Sequence, residues 1–251
     1  MAFDAVLLNY SKPLYYYAGT TQPSFLIITP DDFELLVLKG MEHVGYESWF
    51  PTGKISEAKG GFKDIAGALK KLGVGDDTLG MQMDVIPAAI YLRMASMLNQ
   101  FRIADVSKVV LEQRKIKNAG ELEWMRQSCR IVHAGHEWIL DVLREGMTEI
   151  EDTQRRAGHK GLYFHRQFDF FMGRGVLVSG ENLSRIAGKV QSITGMGLSP
   201  TVPLDASERV IRRGDMIVVD IFTLYRGYHS DQSRTYVIGK APGSCRDLSR
   251  A

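Results

Sequence analysis

The segment Met216-Ile217-Val218-Val219-Asp220-Ile221-Phe222 sets a carboxylate inside a run that is apolar on both sides. Such a run reads as a buried strand, and an ionised carboxylate there is costly unless it is paired or bound to a cation. Arg226-Gly227 follows, with turn chemistry for a hairpin between strands over Met216–Tyr225 and Tyr228–Ile238. A two-residue loop sets Tyr225 opposite Tyr228. Counting outward, Phe222 then faces Asp231 and Asp220 faces Ser233. Opposed residues share a sheet face, so Asp220 and Asp231 become diagonal neighbours about 7–8 Å apart at the backbone. Side chains reaching out from there are in range of metal ions roughly 3.5–4 Å apart. A loop of odd length would place the two aspartates on opposite faces. The competing reading is that each aspartate ends a strand or pairs with Arg226 or Arg234.

Upstream, the first hundred residues alternate strand and helix. Val6-Leu7-Leu8, Phe25–Ile28 and Leu35–Leu38 read as strands, with the aromatic run Tyr15-Tyr16-Tyr17 between the first two and Pro30-Asp31-Asp32 as turn chemistry between the last two. Helices are predicted over Phe62–Leu72 and over Ala88–Gln100, the latter opening behind Pro87. The polar stretch Glu112–Asn118 reads as a linker, dividing an α/β domain of residues 1–113 from a second domain of residues 118–251. Asn118 with Glu121 forms a capping-box signature, and Leu122, Met125, Cys129, Val132, Ile139 and Leu143 give the next helix an apolar face closed by Gly146. Cys129 is accordingly expected in the core. Thr148 with Glu151 predicts a further helix start, and Gly175–Gly180 a further strand.

Net charge is +2, with 24% charged residues, so no basic or acidic excess points to nucleic acid. No apolar run approaches the roughly 20 residues of a membrane span. The first residues lack a signal-peptide pattern, and two cysteines are too few for a disulfide framework. A cytoplasmic, reduced protein is expected, with neither nucleic acid nor membrane as a partner.

Ile211–Asp220 followed by Gly227-Tyr228-His229-Ser230-Asp231-Gln232-Ser233-Arg234-Thr235 resembles the metal-binding hairpin of the pita-bread metallopeptidases, a family that includes aminopeptidase P, prolidase, methionine aminopeptidase and the metal-free creatinase. Arg114–Met125 resembles the start of that catalytic domain. Asp4–Thr20, with Pro13-Leu14-Tyr15-Tyr16-Tyr17-Ala18-Gly19, resembles a creatinase-type N-terminal domain. The resemblance implies an α/β creatinase-type domain followed by an incomplete α+β pita-bread domain. It also implies a peptidase of the Xaa-Pro aminopeptidase or dipeptidase type acting through a metal-activated water on proline-containing peptides, and a homodimer. The implied site holds two divalent ions (manganese, cobalt or zinc) on two aspartates, one histidine and two glutamates. Asp220 and Asp231 match the two aspartates. Arg234 and Thr235 are implied to orient them, and His229 to stand beside Asp231. The remaining ligands belong downstream, yet the residues after Asp231 contain no His or Glu, so the 251-residue chain is expected to be inactive by itself. Ser179-Gly180-Glu181-Asn182 matches a segment that in the family precedes a substrate-contacting histidine. The following Leu183–Gly188 has no histidine, and Thr194–Pro200 stands where that wall would be. The alternatives are a non-catalytic binding or dimerisation module and a metal-free creatinase-like amidinohydrolase. Two retained carboxylates argue against the latter.

Other histidines read as ordinary. His133, His136 and Glu137 lack the i, i+4 spacing of a zinc helix and are taken as helix-surface residues. His159 and His165 lie in a loop-like basic stretch. The aromatic cluster Tyr163-Phe164, Phe168 and Phe170-Phe171 reads as core or interface. No dinucleotide, phosphate-loop or nucleophile-elbow motif is present.

Overall fold

Apolar runs in the first unit pair into one sheet, and helices cover both of its faces. In the computed structural model, residues 3–75, 78–149, 163–165, 170–172, 175–185, 195–197 and 205–240 are described. The chain divides into two units, Met1–Ile116 and Lys117–Ala251. In the first, β1 (Ala5–Leu8), β2 (Ser24–Ile28), β3 (Phe33–Val37), β4 (Ile55–Glu57), β5 (Thr78–Met81) and β6 (Arg102–Asp105) lie in the order β4-β3-β2-β1-β5-β6. The central strands are apolar on both faces because both are covered. On one side Leu7, Phe25, Ile27, Leu36 and Met81 meet α3 (Asp64–Lys71) and α4 (Ala88–Met97) through Ile65, Leu69 and Met94. On the other, Leu8, Leu26, Leu35 and Val37 meet α1 (Ser11–Ala18), α2 (Met41–Glu47) and α5 (Ser107–Gln113) through Leu14, Val44 and Val110. The Tyr15–Tyr17 run lies within α1. The stretch read as a linker is partly helix, since Glu112 and Gln113 end α5. Among the described residues no helix is long and apolar enough to cross a membrane.

The second unit opens with α6 (Ala119–Val142). Its capping box forms as the spacing predicts: Asn118 Oδ1 accepts the Glu121 N–H at 2.9 Å, and the Glu121 carboxylate accepts the Asn118 N–H at 2.8 Å. Strands β7 (Tyr163–His165) and β8 (Phe170–Met172) pair with each other, so two parts of the aromatic cluster and His165 lie in strands rather than a loop. His159, Phe168 and the helix expected to start at Thr148 lie outside the described residues, save that Thr148 itself forms a bridge with Val210. Strands β9 (Val176–Ser179), β10 (Met216–Tyr225) and β11 (Tyr228–Val237) form a sheet in the order β11-β10-β9.

Helix α6 packs on one face of that sheet, where Val132 and Ile139 join Leu177, Ile217, Val219 and Ile221 in a core. Its buried stripe is Glu121, Ser128, Val132, Gly135, His136 and Ile139, and Cys129 is exposed. The apolar periodicity therefore misplaces the helix by part of a turn. Polar residues occupy the buried stripe because the strands offer them partners. Tyr228 Oη donates to Glu121 at 2.5 Å. Ser128 Oγ lies 2.9 Å from Thr223 Oγ1 and 3.0 Å from Ser230 Oγ. His136, read from sequence as a surface residue, is 1% exposed, and burial pushes its ring below the usual histidine range.

A second polar centre closes the other end of β9. The buried Glu149 carboxylate accepts the Ser179 N–H and Oγ–H at 2.6 and 2.7 Å, the Asn182 amide at 2.8 Å, and the Ser207 N–H and Oγ–H at 2.9 and 2.6 Å. Arg209 Nη1 donates to Ser179 Oγ and to Asp215, each at 2.7 Å, and Nη2 completes a fork on Asp215 at 3.1 Å. The Arg209 guanidinium holds the Asp215 carboxyl below the usual carboxylate range. A depressed folded-state value means that the pair's stabilisation is present above the unfolded value of about 3.9 and is lost as pH falls through the folded one. Replacing Asp215 by Ala is expected to cost about 2–3 kcal/mol at neutral pH, because Arg209 is left partly buried without its partner. Urea denaturation at a series of pH values should show that cost shrinking below about pH 3.9.

Candidate metal centre

Ten cross-strand pairs run from Met216↔Val237 to Tyr225↔Tyr228, and they include Phe222↔Asp231 and Asp220↔Ser233. Both loop residues lie in the left-handed region, Arg226 at φ 46° and Gly227 at φ 80°. This is the two-residue turn that matches the twist of a hairpin. Glycine adopts it freely. Arginine does so at a cost of about 1 kcal/mol, and stacking of the Arg226 guanidinium over the Trp124 and Tyr225 rings at 6.0 and 5.9 Å offsets it by about 0.5–1 kcal/mol. The even loop puts Asp220 and Asp231 on one face, as the sequence count requires.

The register makes the two aspartates diagonal neighbours on that face, about 7–8 Å apart at the backbone. Asp231 is exposed as a residue, and its carboxyl is pushed above the usual carboxylate range first by partial loss of solvent and then by the charge of Asp220. The Ser233 hydroxyl donates to Asp220. Strand alternation from the same register brings His229, opposite Leu224, and Thr235, opposite Val218, onto this face. Arg234, implied to orient the aspartates, sits opposite Val219 and so belongs to the face that carries α6.

Neighbouring backbone holds Asp220 in place. Val176 of β9 pairs with it. Gly175, at φ +81°, approaches so closely that a Cβ would lie 2.0 Å from the Asp220 carbonyl oxygen. The Ser179–Asn182 segment forms a short 3-10 turn (Gly180–Ser184). Asn182 Oδ1 accepts the Met196 N–H at 2.8 Å, and the Arg185 carbonyl accepts the Gly195 N–H at 3.1 Å. Residues 195–197 are thus tied to that turn through Asn182, which Glu149 holds in turn. Sequence reading missed Glu149, whose one hint is a carboxylate set between the apolar Met147 and Ile150. It also missed Ser128 and His136, which a search for apolar periodicity discards.

Two carboxylates on one face, one with its acidity suppressed first by loss of solvent and then by the other's charge, are hard oxygen donors that a divalent cation would relieve of repulsion. The donor set therefore fits part of a metal site. Among the described residues no group of three or more His, Cys, Asp or Glu comes together to hold an ion. Replacing Gly175 by Ala forces a Cβ into the Asp220 carbonyl and a strained φ on alanine. It is expected to destabilise the second unit by about 2 kcal/mol or more, measured by denaturant unfolding. An unchanged midpoint would contradict this packing.

The family model for metallopeptidase family M24 matches residues 123–251, and that for the creatinase/prolidase N-terminal domain matches residues 2–116. The Xaa-Pro dipeptidase of Pyrococcus horikoshii is 24% identical over 246 residues, which are 95% of this chain and 61% of that protein. The X-Pro aminopeptidase structure from Thermotoga maritima superposes with a TM-score of 0.76 at 22% identity, covering 99% of this chain and 66% of that one. The Xaa-Pro dipeptidase structure from Bacillus anthracis superposes at 0.77 with 21% identity, covering 98% and 64%. The chain thus spans about two thirds or less of the length of these relatives. Their fold is the fold described above, with a helix-covered sheet in the first unit and a β-hairpin sheet in the second. With one family model matched on each unit, the chain belongs to metallopeptidase family M24 and carries a creatinase/prolidase N-terminal domain.

Proposed function

We propose that this protein is a metal-dependent peptidase cleaving Xaa-Pro peptides, with Asp220 and Asp231 holding two divalent ions of the manganese, cobalt or zinc type. The observation that carries the reading is the carboxylate pair: an Asp in an apolar strand and a second Asp on the same face of the neighbouring strand. The names of the relatives supply the substrate class. Bound ions would lower the pKa of a water and polarise the scissile carbonyl. The chain's own part is to fix the carboxylates. The two-residue turn sets their face, Gly175 and Val176 hold the Asp220 backbone, and Ser233 orients the Asp220 carboxylate. Thr235 and His229 share their face and stand as neighbours to the ions. A homodimer in the cytoplasm belongs to the same reading, supported by the M24 relationship and by the sparse cysteines.

The test is manganese-dependent hydrolysis of an Xaa-Pro dipeptide by the native gene product, wild type against Asp231→Asn. Loss of a metal ligand is expected to lower kcat/KM at least about hundredfold. Turnover that survives the substitution unchanged would overturn the reading.

A further inference from the structure

Asp231 is flanked by two residues that α6 grips from behind. Ser230 Oγ lies 3.0 Å from Ser128 Oγ, and the Gln232 carbonyl oxygen lies 3.0 Å from His136 Nε2. We propose that His136 is a positioning residue for the metal-binding carboxylates: by fixing the Gln232 peptide on the helix side, it aims Asp231 at Asp220 on the opposite face. The proposal rests on the metal role assigned above to the two aspartates.

The ring's hydrogen bonds define its tautomer. A carbonyl oxygen only accepts, so Nε2 carries the proton and donates to Gln232. Nδ1 then accepts, and the Tyr236 hydroxyl donates to it at 2.7 Å. Both ring nitrogens are engaged, and the side chain is 1% exposed. Each bond ties the helix to β11, one beside Asp231 and one further along. Apolar packing of Val132 and Ile139 on the sheet supplies attraction but little direction, since the hydrophobic effect is non-directional. Hydrogen bonds are directional. A site built on two carboxylates tolerates errors of only about 0.5 Å. Directional restraint is therefore what the back of this strand needs, and a buried polar side chain is otherwise a poor choice at a helix–sheet contact.

Glutamine and asparagine separate the two bonds. Glutamine can place an amide N–H near the Nε2 position and keep the bond to Gln232. Asparagine can place its oxygen near Nδ1 and keep only the bond to Tyr236. The probe is terbium(III), titrated by luminescence into the 251-residue chain, with thermal unfolding recorded for every variant. Wild type should bind through the carboxylate pair, and Asp231→Asn should lose most of that affinity. His136→Asn should weaken binding about tenfold, whereas His136→Gln should stay within about threefold of wild type, although both lower the unfolding midpoint. Affinity that follows the Gln232 bond rather than the midpoint is the signature of positioning. If Asp231→Asn loses affinity but His136→Asn binds as wild type, or if both His136 variants lose affinity in step with their stability, the positioning role is wrong and the metal reading stands. If wild type does not bind terbium, or Asp231→Asn binds unchanged, the positioning role fails, and the manganese-dependent peptidase assay decides the metal reading separately.

Discussion

Everything distinctive about the second unit depends on one like-charge contact, the approach of Asp220 and Asp231 across β10 and β11. Two carboxyls on one face of a hairpin repel when both are ionised, and Asp231 is raised first by loss of solvent and then by the charge of Asp220. The hairpin tolerates the repulsion because the surrounding terms are larger. Ten cross-strand pairs and the buried apolar face against α6 fix the strands, and core burial contributes roughly 25 cal/mol per Å² of apolar area. The opposition of charges is thus imposed by the fold, and neutralising it is left to a cation.

The turn is what makes the imposition unavoidable. Two residues with positive φ connect the strands in one register only. Inserting or deleting one residue would reverse the face of every side chain beyond it and separate the aspartates. The back of the sheet is built to the same end. Glu121, Ser128 and His136 reach Tyr228, Ser230 and Gln232 in succession along β11. These contacts run in one direction, so a slide of helix against strand breaks all of them together. On β9, Gly175 presses on the Asp220 carbonyl, and the Glu149 network holds the turn that follows.

The sequence was most informative where backbone geometry alone decides the outcome. Arg226-Gly227 was enough to count the register, and Asn118 with Glu121 was enough to place the start of α6. It was least informative where a polar residue is buried because of a distant partner. Leu122 and Cys129 look like core positions on a helical wheel, yet Leu122 is 41% exposed and Cys129 is exposed, while Ser128 and His136 are inside. Their partners Thr223, Ser230, Gln232 and Tyr236 lie about a hundred residues away, beyond what local periodicity can report. Arg234 shows the same limit in reverse. Its place in a motif suggested the site, but alternation along β11 puts it on the other face. In the first unit the apolar strands were legible, whereas short helices such as α1, which holds the Tyr15–Tyr17 run, were not.

The central claim is that the fold holds two carboxylates together for a cation to join. Anomalous diffraction at the manganese edge, from crystals of the native gene product grown with manganese, tests it most directly. The account predicts anomalous density between the Asp220 and Asp231 carboxylates, with both side chains on the face of β10 and β11 away from α6. Density elsewhere, or side chains on opposite faces of the hairpin, would contradict it.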